Sequence, residues 1–332
     1  MKVFIKGISY YLPEVALTNE QLVCEFPEWT AEKISSKIGI AVRHISAPDE
    51  TALDMACSAS ETFFLEHSID KADIDFILLC TQSPDYFLPT SACILQKRLG
   101  LSKKCGALDF NLGCSGYVYG LALAKGLILS SVAQNILLIT TETYTKHIHP
   151  RDRSNRTIFG DAAAVTIVSN QGKAEILDFV LGTDGSGFES LIVRNGAMRN
   201  HLYSGENKVD DEGNIIAPDN IYMNGADVFA FTIREIPKLV HETIAKNNLK
   251  QEDIDLYVFH QANQYMLEHL RKKLRIENEK FFIFMENIGN TVSSTIPIAL
   301  YEAEKRMELY NKIVLLAGFG VGLSWGGVVL KY

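Results

Sequence analysis

The feature that most constrains this chain is an echo of itself. "KADIDFILLCTQSPDY" (71–86) and "QEDIDLYVFHQANQY" (251–265) both carry D-I-D, an apolar run and then a polar cluster, with Asp73 and Asp253 180 positions apart. The apolar runs "NILLITTE" and "KIVLLAGFG" follow, with Ile136 and Ile313 177 apart. Between them Gly113-Cys114 and Gly289-Asn290 lie 176 apart, each opening a segment with helical apolar spacing. Three pairs in the same order at nearly the same offset point to a duplicated α/β unit. "FILLC", "ILLIT", "LYVFH" and "IVLLA" are unbroken apolar runs, as in strands covered on both faces. "GDAAAVTIVS" and "GLSWGGVVLKY" read as hairpin-like ends of the two units. The boundary falls in "SNQGKAE", where Asn170 and Gly172 separate two strands, giving halves 1–172 and 173–332. Two pseudo-symmetric halves bring corresponding strand ends and helix starts to their common interface. Cys114, the region around Leu88, His260 and Asn290 are therefore expected to converge.

Composition sets the class of partner. The 332 residues are 47% hydrophobic and 22% charged, as in ordinary globular chains, and the net charge is −8. That balance argues against nucleic acid or an anionic membrane as the main partner. Lys6 and Gly7 interrupt any signal-peptide core, and "IVLLAGFGVGL" is too short and Gly-rich for a spanning helix. A cytoplasmic location is expected. All six cysteines (24, 57, 80, 93, 105 and 114) precede residue 115, without C-x-x-C pairs, so neither a disulfide framework nor a zinc site is indicated. His147 and His149 lack a third ligand, and no metal is expected.

In "ALDFNLGCSGYVYGLALAKG" (107–126) a strand end meets a helix start at Cys114. A thiol there faces the positive end of the helix dipole and unpaired N–H groups, which predicts a lowered thiol pKa. The alternative is a small core residue, as most free cysteines are.

The segments "LGCSGYVYGL", "RTIFGDAAA", "VFHQANQYM", "ENIGNTVSSTIPIAL" and "GFGVGLSWGG" together resemble the β-ketoacyl-acyl-carrier-protein synthase III family of thiolase-fold condensing enzymes. The resemblance runs across nearly the whole chain. It implies a thiolase-like α/β fold, layered α-β-α-β-α. By position, Cys114 matches the family nucleophile, His260 the catalytic histidine and Asn290 the catalytic asparagine. The implied reaction loads an acyl group from acyl-CoA onto Cys114 and condenses it with malonyl-acyl carrier protein as carbon dioxide leaves. Acyl-CoA is a substrate, and no cofactor is implied. N–H groups of His260 and Asn290 would hold the enolate oxygen, at roughly 3 kcal/mol per donor. The backbone N–H groups of Cys114 and Val321 would hold the other oxyanion. Rival readings are an acyltransferase without decarboxylation and a non-catalytic binding subunit.

The resemblance also places Lys37 and Arg153 at the coenzyme A nucleotide, although the family usually has arginine at Lys37 and a stacking tryptophan where Lys33 stands. Leu88 falls at a position that limits the acyl pocket and is shared across a homodimer. Leucine there, in place of the more usual phenylalanine, predicts a primer larger than acetyl. Gln261, Ala262, Asn263, Gln264, Tyr265, Lys272 and Lys273 match the carrier-docking segment, with Tyr265 replacing a common arginine. "GLSWG" satisfies the hydrolase G-x-S-x-G pattern, but no acid or histidine follows, so Ser324 is read as structural. Asp161 of "FGD" is given no catalytic role.

Overall fold

The computed structural model describes the whole chain except residues 202–204, 210–212 and 214. Among the described residues ten strands form one sheet: β1 (Phe4–Tyr11), β2 (Phe76–Cys80), β3 (Gly106–Phe110), β4 (Asn135–Glu142), β5 (Ala162–Ser169), β6 (Ala174–Thr183), β7 (Leu256–Phe259), β8 (Phe281–Phe282), β9 (Ile313–Gly320) and β10 (Ser324–Lys331). Their order is β8-β7-β9-β10-β6-β1-β5-β4-β2-β3. Read outward from the middle, the two wings are the same. In each, an inner strand pairs antiparallel with the next, that with the third, and the last three are parallel. Within the sheet the wings join where Phe4 and Ile5 of β1 meet Glu175 and Ala174 of β6.

The echo in sequence is thus an echo in hydrogen bonds. Asp75 N–H donates to the Asn135 carbonyl while its carboxylate accepts the Asn135 N–H. Asp255 does the same with Ile313. Each aspartate clamps the start of one parallel strand to the start of the next.

Alternation along the strands builds the layers. Ile77, Leu79, Leu137 and Ile139 pack against outer helices α1 (Ala52–His67) and α2 (Ser91–Arg98). Leu78, Ile136 and Leu138 face the other way, onto central helices α3 (Gly116–Leu129) and α6 (Thr295–Arg306). The opposite wing repeats this. Val314 and Leu316 meet the central pair, and Leu315 and Ala317 meet outer helices α4 (Gly225–Lys246) and α5 (Gln264–Lys273). The arrangement is α-β-α-β-α. Helix α3 is apolar on nearly every face and buries Tyr117, Val118, Leu121, Ala124 and Ile128 in the centre, while Leu123 and Leu129 are exposed. No helix of the described residues is long and apolar enough to cross a membrane.

Candidate active site

The starts of the two central helices bring the chemistry together. Cys114 lies in the turn just ahead of α3, buried at 6% exposure. His260 follows the last residue of β7 and is 2% exposed, its N–H donated to the Ala317 carbonyl. Asn290, 4% exposed, precedes α6 by a short 3-10 turn. All three line one pocket of about 170 Å³, walled by Phe159, Leu191, Met223, Val228 and Phe319.

Glycine makes room for the thiol. A Cβ on Gly320 would stand 2.9 Å from Cys114 Sγ, and one on Gly116 would stand 2.4 Å from Cys80 Sγ. The backbone of β9 can pass the nucleophile only without a side chain.

Asn290 is held in one orientation. Its Oδ1 accepts the Val292 N–H at 2.9 Å, and Nδ2 donates to the Ala262 carbonyl at 3.3 Å. An amide nitrogen carries two hydrogens, so the second is left for a ligand in the pocket. Val292 itself has φ 55°, a left-handed conformation that costs a β-branched residue ~1–3 kcal/mol. The Asn290 backbone is tied to Ile158 and Gly160 of the facing loop.

Electrostatics correct the expected thiol pKa. Burial pushes Cys114 up to about 12, and the nearby Glu142 adds to it, while the N–H groups of Val321 and of Cys114 itself pull down. The N–H of Cys114, at the helix start, and that of Val321, in the turn after β9, act in the expected direction, but loss of hydration outweighs them. Burial also drives His260 down to about 3. The resting pair is therefore a neutral thiol and a neutral imidazole.

Glu142, which the sequence did not single out, is wholly buried. It accepts the Gln82 N–H and the Ser83 and Ser293 hydroxyls, and burial raises it to about 8. Strand β4 gave no signal for it beyond a carboxylate closing an apolar run.

The family model for 3-oxoacyl-[acyl-carrier-protein] synthase III matches residues 108–185, and its C-terminal counterpart matches 244–332. A β-ketoacyl-[acyl-carrier-protein] synthase III of Clostridium perfringens is 36% identical over 328 residues, 98% of each chain. This chain belongs to the β-ketoacyl-acyl-carrier-protein synthase III family. The Fusobacterium nucleatum synthase III is 34% identical over 99% of this chain and 98% of its own. Among solved structures, a 3-oxoacyl-(acyl-carrier-protein) synthase III superposes with TM-score 0.98 at 46% identity, each chain fully covered. That of Pseudomonas aeruginosa gives 0.87 at 28% identity, over 100% of this chain and 98% of the other. The fold is that of the thiolase-like condensing enzymes, and the chain is an acyltransferase of that kind.

The other expected positions are distributed over the surface and the core, and two of them, Gln261 and Ala262, need correction. Leu88 is 82% exposed and lies outside the pocket of its own chain, where Cys114, His260 and Asn290 converge; a position shared across a dimer is exposed in one subunit taken alone. Gln261 is fully buried, bonding the Phe259 carbonyl and the Phe284 N–H, and Ala262 lines the pocket, so neither presents a docking surface. Asn263 caps α5 through the Met266 N–H. Gln264, Tyr265, Lys272 and Lys273 are exposed, with Lys273 Nζ on the Ile233 carbonyl. Tyr265 packs its ring at a tilt against those of Phe229 and His269. Lys37 is exposed in the last turn of the helix Ala31–Ile38. Arg153 pairs with Glu28 at 2.6 Å. Ser324 is buried against Ser115 at 2.7 Å, and Asp161 accepts from Ser46 and Thr145. Neither lines the pocket.

Proposed function

We propose that the chain loads an acyl group from acyl-CoA onto Cys114 and condenses it with malonyl-acyl carrier protein, releasing carbon dioxide. The observation that carries this is the meeting of thiol, imidazole and amide in one apolar pocket. Cys114 sulfur attacks the thioester carbonyl and gives up its proton through His260. The N–H groups of Cys114 and Val321, which pull the thiol pKa down, hold the oxyanion. Coenzyme A leaves as the thiol, and Cys114 keeps the acyl group as a thioester.

Malonyl thioester then loses carbon dioxide. The negative charge collects on its thioester oxygen, where Asn290 Nδ2–H and His260 receive it. The resulting carbon nucleophile attacks the acyl-Cys114 carbonyl, expelling the cysteine sulfur and forming a 3-oxoacyl thioester.

Voids of roughly 150 Å³ admit benzene, so this pocket has room for more than acetyl. The preference for a longer primer rests on that volume together with Leu88, a narrower side chain than phenylalanine at the position shared across the dimer. Lys37 and Arg153 serve the coenzyme A nucleotide, and Gln264, Tyr265, Lys272 and Lys273 the acidic carrier. The active form is a homodimer, favoured by exposed Tyr86, Phe87, Leu88 and Leu108 around the free edge of β3. The half 1–172 then contributes the nucleophile and the half 173–332 the imidazole and amide, in the cytoplasm and without a cofactor.

The test is carbon dioxide release from carboxyl-labelled malonyl-acyl carrier protein in the presence of acyl-CoA. Wild type releases it together with a 3-oxoacyl product, and Asn290→Ala slows release by roughly 10²–10³-fold. Acyl transfer with no carbon dioxide would instead mark a non-condensing acyltransferase.

A further inference from the structure

We propose that Thr295 is a positioning residue that holds His260 as its Nδ1–H tautomer, leaving Nε2 as the proton-accepting atom on the Cys114 side. This rests on the reading of Cys114 and His260 as the reaction centre. Thr295 is the first residue of α6 and is fully buried. Its Oγ1 lies 2.7 Å from His260 Nδ1 and 2.9 Å from the Val292 carbonyl oxygen.

A hydroxyl has one proton to give. If it went to Nδ1, the hydroxyl oxygen and the Val292 oxygen would face each other at 2.9 Å with no proton between them. Donated to Val292, it closes that contact, and Oγ1 accepts an N–H from His260. The second arrangement makes two hydrogen bonds where the first makes one. The Val292 carbonyl also takes the Thr295 backbone N–H, and an sp² oxygen has lone pairs for both. His260 is neutral at rest, so its one ring proton is then on Nδ1.

The same strained residue polarises both catalytic side chains. Val292 accepts through its carbonyl the chain that fixes His260, and donates through its N–H the bond that fixes Asn290. One left-handed residue thus sets one group as a proton acceptor and the other as a donor.

The proton count follows. During acyl transfer Nε2 takes the Cys114 proton and passes it to the departing coenzyme A sulfur, so none is gained or lost. Condensation consumes one proton from solvent. Nε2 holds it while carbon dioxide leaves, donates it toward the enolate oxygen, and delivers it to Cys114 sulfur when the carbon–sulfur bond breaks. An Nε2–H resting tautomer could not accept the first of these protons.

The test is nitrogen-15 NMR of the full-length enzyme labelled at histidine, with the His260 signals assigned by their loss in His260→Gln. The expected result is an unprotonated nitrogen coupled to both carbon-bound ring protons, which identifies Nε2. An unprotonated Nδ1, or an imidazolium at neutral pH, overturns the proposal. Thr295→Val should mix the tautomers and slow acyl transfer about 10²-fold with donor KM little changed. Thr295→Ser should restore both the signal and most of the rate. A folded Thr295→Val that keeps the wild-type signal also overturns it. Because the wild-type spectrum needs no substrate, failure of the proposed condensation leaves this result standing, and the reverse holds too.

Discussion

Cys114 is the residue where sequence pattern and buried environment pull in opposite directions. Its place before a helix and its N–H neighbours favour thiolate, yet burial and Glu142 hold it as thiol, up to about 12. Substrate-free enzyme should therefore react with iodoacetamide slowly at neutral pH, the rate climbing through about pH 9 without levelling. A plateau below about pH 7 would mean a preformed thiolate–imidazolium pair. The position of Cys114, His260 and Asn290 was legible because short motifs carry them. Thr295 was not, because nothing in "TVSST" says which hydroxyl meets the imidazole until Val292 turns left-handed.

At the scale of elements, the duplicated aspartate clamp explains why D-I-D recurs. Asp255 accepts the Ile313 N–H at 2.9 Å and Lys312 Nζ at 3.1 Å, and Asp75 accepts the N–H groups of Gln134 and Asn135. Charge-assisted bonds of this kind are worth ~1.5–3 kcal/mol when shielded and less in water. Asp255, half-buried, should lose about 1–2 kcal/mol on substitution by alanine, and the more exposed Asp75 less, read from urea midpoints at constant m. Equal and negligible losses would make the repeat a relic rather than a working joint. The strands were legible as unbroken apolar runs, since both faces are covered. Leu191 and Met223, which wall the pocket, were not, because they sit in two strands of three residues, too short to show periodicity and far apart in sequence.

For the whole molecule, two buried groups shape stability against pH in opposite directions. Glu142 is raised from its ordinary 4.5 to about 8, so the folded chain keeps a proton that the unfolded chain has lost. That contribution is full below about 4.5 and disappears as pH climbs to about 8. His260 is lowered from 6.5 to about 3, so the unfolded chain gains a proton that the folded one refuses, and stability falls as pH drops through that window. Glu142→Gln should flatten the alkaline limb and His260→Asn the acid limb in denaturant titrations. An unchanged pH profile in both would contradict these assignments. The two-winged sheet was legible from the repeat offsets, whereas the opposing charge behaviour was not, because burial of Glu142 and His260 is a property of the assembled halves. The most direct measurement of the whole account is intact-protein mass after mixing with acyl-CoAs from acetyl to decanoyl, beside Cys114→Ala. The account predicts an acyl adduct on wild type alone, fastest for a chain longer than acetyl and discharged by malonyl-acyl carrier protein. An adduct that survives in Cys114→Ala, or none on wild type with any donor, would contradict it.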